Sequence, residues 1–266
     1  MDPERRGYTR GLMTAIRLGL LLVVAFVAGA VNSLAGGGTL LTFPALLLLG
    51  MDPIVANATS TVALWPGTIG AIFGYRRELR ERSALIAPLA IPSLVGGTAG
   101  AVLLISTPSS VFEKLVPFLI LFATVLFAVH GPIRDRVFDD ASIRSPRWWT
   151  IAIALQLGIA VYGGYFGAGI GVLMLALLGV LGLEDLNAMN GIKVVNGMLI
   201  NLVAVAAFAV SGIVDWPIAA AMAVASAAGG WAGAGVARRI GQTRLRNSII
   251  AIGVAATVLL FLRLLR

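Results

Sequence analysis

Ten runs of apolar residues, at about 14–33, 39–50, 54–74, 83–106, 110–130, 148–166, 170–183, 187–211, 216–236 and 246–265, follow one another with only short polar loops between them. A helix needs about 20 apolar residues to cross a bilayer. A chain of 266 residues built this way holds about eight to ten crossings and almost nothing besides. Its mean hydropathy of +0.95 and its 12% of charged residues fit that reading, since roughly a quarter of a soluble domain is charged. The expected fold is therefore all-α, a polytopic helical membrane protein, and a soluble catalytic or binding domain is excluded. Cysteine is absent, which removes disulfides, thiolate metal sites and cysteine nucleophiles. The net charge of +8 resides largely in short arginine-bearing loops, where it sets orientation across a membrane. The partner implied is a lipid bilayer, not nucleic acid.

The first run follows Arg5, Arg6, Arg10 and Arg17 and ends in small residues, the outline of a cleaved signal peptide. It continues without pause into a glycine motif that recurs later, so it is read as the first span. Trp148, Trp149 and Trp216 stand at span ends, where an indole can face both headgroups and hydrocarbon.

Two runs, 39–50 and 170–183, are too short for an ordinary crossing, and each follows a cluster of glycines. At a single shift of 133 residues, half the chain, Ala35-Gly36-Gly37-Gly38 meets Ala168-Gly169-Ile170-Gly171 and Asn57 meets Asn190. The same shift brings Ser93, Gly96, Gly97, Ala99 and Gly100 onto Ser226, Gly229, Gly230, Ala232 and Gly233. One gapless shift joining three separated clusters points to a duplicated unit, with halves 1–133 and 134–266 in one integrated membrane domain, as in many secondary transporters. Loop 75–83 carries Arg76, Arg77, Arg80 and Arg82, whereas its mate near 208–216 carries only Asp215. The linker 106–110 is uncharged, whereas its mate 238–246 carries Arg238, Arg239, Arg244 and Arg246. The positive-inside rule then puts 75–83, 131–147 and 237–247 in the cytoplasm and 106–110 and 212–216 outside. Opposite charge at matching loops favours an inverted repeat, five crossings plus five. Arginines at both chain ends favour the other solution, four plus four with parallel halves and re-entrant short segments.

The glycine clusters are the first candidates for chemistry. Glycine costs a helix about 1 kcal/mol relative to alanine, and amides freed at membrane depth must be satisfied by protein, water or ligand. A short helix starting after each break aims its N-terminal amides and positive dipole end at the break, and two such ends face to face make an anion site. The competing reading is close helix packing, for which Gly96/Gly100 and Gly229/Gly233 are the better examples. Polar side chains follow one span later: Asn57, Thr59, Ser60 and Thr61, then Asn190, Lys193, Asn196 and Asn201. Lipid-facing polar groups are costly, so these are expected to face the interior. Inter-helix hydrogen bonding is their structural alternative. Lys193 is either an interior cation suited to an anionic substrate or a side chain that snorkels to the nearby interface.

No Asp or Glu lies clearly mid-span; Asp52, Asp185 and Asp215 all stand at span ends. A carboxylate proton relay is therefore not visible. His130, the sole histidine, precedes Gly131-Pro132 at a span end and reads as a membrane-edge residue. With one His and no Cys, neither an intramembrane hydrolase nor a metal site has the groups it needs, and no cofactor is expected.

At these residues the chain resembles the TauE/SafE sulfite-exporter-like family of membrane permeases, over essentially its whole length. The likeness rests on Ala28-Gly29 through Asn32, Gly36-Gly37-Gly38-Thr39, Pro44, Gly50 and Ala56-Asn57-Ala58-Thr59-Ser60. In the second half it rests on Gly163-Gly164, Gly167-Ala168-Gly169-Ile170-Gly171 and Gly212-Ile213-Val214-Asp215-Trp216. The resemblance implies transport of small sulfur-containing anions, such as sulfite or organosulfonates, across the cytoplasmic membrane without ATP hydrolysis. Two stretches depart from the family pattern. Bulky Tyr165-Phe166 follows the glycine pair, and Asn190-Gly191-Ile192-Lys193 stands where a Thr/Ser-rich stretch is common.

The resulting expectation is a secondary transporter in the inner membrane, with its site near the midplane between the halves. Gly36, Gly37, Gly38, Gly169 and Gly171 would supply backbone donors. Asn57, Thr59, Ser60 and Asn190 would orient the anion, and Lys193 would offset its charge. Asn32, Thr39 and Gly167 complete the set. The alternatives are a passive anion channel, a non-transporting membrane subunit or assembly factor, and an intramembrane enzyme.

Overall fold

The computed structural model describes residues 3–34, 36–81, 83–137, 146–181, 183, 185–240 and 242–264. Ala35, Arg82, Glu184 and residues 138–145 of the expected cytoplasmic linker lie outside the described residues. Among those described, eleven helices and no strand are found: α1 (Pro3–Leu34), α2 (Thr39–Leu48), α3 (Pro53–Gly74), α4 (Arg76–Glu81), α5 (Ser83–Ser106), α6 (Ser109–Val137), α7 (Pro146–Tyr165), α8 (Ile170–Val180), α9 (Leu186–Ser211), α10 (Trp216–Ile240) and α11 (Gln242–Leu264). By length and composition three helices can cross a membrane unaided, over Leu85–Ser106, Ser109–Leu126 and Asn187–Ser211. Shorter apolar stretches lie on α1, α2, α7, α8 and α11. Ten and eleven residues, at 1.5 Å each, make α2 and α8 about 15 Å long, half the hydrocarbon thickness.

Helix boundaries follow local chemistry. The three acidic residues at span ends are N-caps: the Asp52 carboxylate accepts from Ile54 N at 2.9 Å, Asp185 from Asn187 N at 2.9 Å, and Asp215 from Ile218 N at 3.1 Å. Each satisfies an amide that the first helical turn leaves free. Expectation and structure differ in four places. Loop 75–83 contains the one-and-a-half-turn helix α4, and α6 runs through Gly131-Pro132 to Val137. Asn32 and Gly163-Gly164 lie inside α1 and α7, so the breaks are shorter than the glycine-rich stretches. Helix α1 begins at Pro3, ahead of the apolar run that starts near 14. At Gly131-Pro132 and Gly163-Gly164 hydrogen bonding along the helix outweighs the intrinsic preference of Gly or Pro, which is a weak prior beside tertiary packing.

Packing interlocks the two sequence halves. Helix α5 lies against α7 and α9, and α10 lies against α1 and α3, while α3 and α9 meet in the middle. Helices α6 and α11 pair outside, against α8 and α2 respectively. The seams are backbone-to-backbone. A methyl group on Gly96 would sit 2.6 Å from Leu157 O, and one on Gly100 or Gly164 would overlap Val161 O or Gly97 O. On the other side a methyl on Gly29 would overlap Ser226 O, and one on Gly229 would overlap Phe26 O. These glycines serve close packing, the small-residue mode that lipid solvent favours. The contacts also recur at fixed spacing. Gly97 meets Ile200 and Gly230 meets Gly67; Ser93 reaches Asn196 and Ser226 reaches Ala63. Both members of one contact stand 133 positions from both members of the other.

Overpacking a tight seam costs about 1–3 kcal/mol, whereas a methyl on Gly158 of the same helix meets nothing within 4 Å. Gly164→Val is therefore expected to lower the melting temperature in detergent clearly. Gly158→Val should leave it within about 0.5 kcal/mol of wild type. Equal melting temperatures would remove the seam argument.

Candidate site at the crossing of two broken helices

Chain direction changes at 36–38, between α1 and α2, and at 166–169, between α7 and α8. Gly36 has φ +72°, and Gly167 and Gly169 both have φ +79°, the left-handed region that a Cβ disfavours. At the first break the chain folds back on α1: a methyl on Gly38 would lie 2.6 Å from Ala28 O and 3.3 Å from Asn32 Cβ. The two breaks are in contact. A methyl on Gly36 would lie 2.8 Å from the Cα of Gly171 and 3.1 Å from its nitrogen.

Neither short helix has a side-chain cap. The amides of Gly37 and Gly38, and those of Ala168 and Gly169, donate to no backbone carbonyl among the described residues. All four residues are buried. Free amides and aligned peptide dipoles thus collect at one place inside the protein, the arrangement that favours negative charge.

Side chains on α2, α3 and α7 fasten the crossing. Asn57 on α3 donates from Nδ2 to Tyr165 O, the last residue of α7, at 2.9 Å. Tyr162 Oη donates to Ala168 O inside the second break at 2.7 Å. Thr42 Oγ1 on α2 lies 2.6 Å from Ser60 Oγ on α3 and donates to Gly38 O at 3.3 Å. The bulky Tyr165-Phe166 pair is explained by packing. Phe166 stacks edge-on against Phe43 of α2 at 5.2 Å, and Tyr165 against Phe112 of α6 at 5.6 Å. An aromatic core therefore ties the second break to α2 and α6.

Of the expected site residues, the structure brings together Asn32, Gly36, Gly37, Gly38, Gly167, Gly169, Gly171, Asn57 and, through Thr42, Ser60. Thr39 opens α2 at the same place. Thr59 is used elsewhere: its hydroxyl accepts the Asp215 amide at 3.0 Å and holds the 212–216 loop. Asn190 and Lys193 form their own pair on α9, with Nζ donating to Asn190 Oδ1 at 2.8 Å. Lys193 is 3% exposed, so the ammonium turns inward and does not snorkel to the interface. Helix α9 packs against both α3 and α8.

One buried polar group escaped the sequence reading. Gln156 on α7 donates to Ser93 Oγ at 2.8 Å, and Ser93 lies 3.1 Å from Asn196 Oδ1, joining α5, α7 and α9. The available signal was a glutamine in the middle of an apolar run, which membrane energetics alone make noteworthy.

Comparison with known proteins agrees with this architecture. The family model described as sulfite exporter TauE/SafE matches residues 21–260. A Haemophilus influenzae protein named probable membrane transporter protein is 30% identical over 241 residues, covering 90% of this chain and 92% of that protein. Probable membrane transporter protein ORF9 from a Sinorhizobium species is 28% identical, covering 91% of each chain. Probable membrane transporter protein YfcA of Escherichia coli K12 is 29% identical, covering 91% of this chain and 88% of that protein.

The crossing can be tested through two glycines with the same backbone demand. Gly36 and Gly50 both have positive φ, but a methyl on Gly50 meets nothing within 4 Å. Gly50→Ala should cost only the left-handed strain of about 1–2 kcal/mol. Gly36→Ala adds a clash with the Gly171 backbone and should melt at clearly lower temperature; equal losses would mean that the breaks do not touch.

Proposed function

Because the chain belongs to the TauE/SafE sulfite exporter family, we propose that this membrane protein is a secondary transporter of small anions, sulfite or organosulfur oxyanions, in the inner membrane. The observation that carries this reading is the contact between the two breaks at Gly36 and Gly171. Each helix N-terminus carries roughly +0.5 elementary charge, so α2 and α8 together offset about one negative charge before any side chain contributes. Lys193, paired with Asn190 on the helix packed against α8 and α3, supplies a further positive charge to the same interior. Gly37, Gly38, Gly169 and Gly171 then provide the amides, whereas the amide of Gly36, also expected to serve, already donates to Asn32 O at 3.2 Å; Asn57 and Asn190 orient the ligand. The proposed substrate class comes from the family description and from this positive character together. No carboxylate is called upon.

The proposal includes a duplicated chain, with 1–133 and 134–266 as its copies in inverted orientation. The recurrence of contacts at the 133-residue spacing supports it, most directly Trp65 Nε1 donating to Met198 O, because these two residues are themselves 133 apart. A residue that touches its own mate lies beside the axis relating the copies. Since α5 packs into the second half and α10 into the first, the bodies that rock are mixed: α1, α3 and α10 against α5, α7 and α9. Alternating exposure of the crossing between these bodies would move the anion.

A counterflow screen of sulfite, sulfate, alkyl sulfonates and carboxylates in proteoliposomes tests the proposal. Saturable counterflow of at least one sulfur oxyanion is expected from wild type. At least a tenfold loss is expected in Lys193→Ala, which removes charge, and in Gly38→Leu, which fills the first break. Non-saturating flux would indicate a channel, and normal counterflow in both variants would move the site elsewhere.

A further inference from the structure

Asn57 is 1% exposed, and its side-chain amide has only one allowed orientation. Nδ2 faces Tyr165 O at 2.9 Å, and a carbonyl oxygen only accepts, so turning the amide over would set two oxygens against each other. Oδ1 therefore points away from Tyr165, and it has no hydrogen-bond partner among the described residues. The hydroxyls around it are all engaged. Ser60 Oγ is bonded to Thr42 Oγ1, Thr61 Oγ1 donates to the Asn57 carbonyl, and Thr59 Oγ1 holds the Asp215 amide.

The second half shows what such an oxygen ordinarily receives. Asn190 stands 133 positions after Asn57, and its Oδ1 accepts from the Lys193 ammonium three residues on. Three residues after Asn57 stands Ser60, already committed to Thr42. The chain thus builds one asparagine with an ammonium donor and one asparagine without, and the latter is the one bonded to the crossing. Buried polar groups are paired in folded proteins, and an orphan at a ligand site asks for a partner that arrives with the ligand.

We propose that Asn57 Oδ1 accepts a hydrogen bond from the transported molecule itself, so that the substrate carries a single anionic group together with its own hydroxyl or ammonium donor. The anionic group lies at the amides of the two breaks and the donor group lies at Asn57. A fully deprotonated oxyanion or a plain alkyl sulfonate leaves Oδ1 unsatisfied and binds worse. This inference rests on the anion-carrier reading and narrows it.

Three sulfonates of equal chain length separate the two claims: 1-propanesulfonate, 2-hydroxyethanesulfonate and 2-aminoethanesulfonate, ending in a methyl, a hydroxyl and an ammonium group. Their dissociation constants are measured on the purified full chain by ligand-dependent thermal stabilisation and checked as inhibition of counterflow. At least one donor-bearing sulfonate is expected to bind the wild type about tenfold or more tightly than 1-propanesulfonate, because a site built to bond a substrate hydroxyl rejects the analogue lacking it. Asn57→Leu should remove that preference, and Gly158→Val, a substitution into open space outside the crossing, should retain it. The wild-type comparison decides the matter even if Asn57→Leu does not fold. Equal binding of the three sulfonates overturns this inference and leaves the anion reading standing; failure of all three to bind overturns this inference, and the anion reading falls with it only if sulfite counterflow is absent from the same preparation.

Discussion

Backbone amides cannot be left bare at membrane depth, and this constraint organises the molecule around the crossing of its two broken helices. Interrupting α1 at 36–38 and α7 at 166–169 frees peptide groups that lipid cannot satisfy. Burying both interruptions against one another, Gly36 on Gly171, shields them from lipid. The three glycines with positive φ at the breaks and the side chains that anchor them, Asn57, Tyr162 and Thr42, are consequences of holding backbone in so irregular a path.

Holding it requires a rigid surround, and two kinds of packing provide one. Glycine seams bring α5 onto α7 and α10 onto α1 until backbone touches backbone, which in lipid yields more dispersion contact than larger side chains would allow. Around the second break, Phe43, Phe112, Tyr165 and Phe166 interlock edge to face. Among the described residues the first break has no such set of rings of its own, and it leans on α1 through Gly38 and Ala28. The crossing is therefore asymmetric in its support although its two glycine motifs are alike, and the buried ammonium of Lys193 adds to that asymmetry.

The site was legible to different depths. Glycine motifs followed by runs too short to cross identified the breaks, because helix interruption is a local matter of backbone cost. The inward placement of Lys193 was one of two open readings, since a lysine two turns into a helix can reach water or the interior equally well; only its burial beside Asn190 decides. Thr59 looked equivalent to Ser60, yet one turns to the 212–216 loop and the other to α2, a difference set by which helix lies on each side of α3. Gln156 passed unnoticed because its partner Ser93, itself bonded to Asn196, is 63 residues distant in sequence.

By itself the sequence determined that this is an all-helical membrane protein of the TauE/SafE family and where two of its helices break, because hydropathy and glycine act within a few residues. Tertiary structure alone decided that the breaks touch, that α5 and α10 exchange partners between the halves, and which polar side chains converge on the crossing. Those features depend on contacts between separate helices, Gly36 with Gly171 and Asn57 with Tyr165 among them, and no local pattern of residue types records which neighbour a side chain will meet.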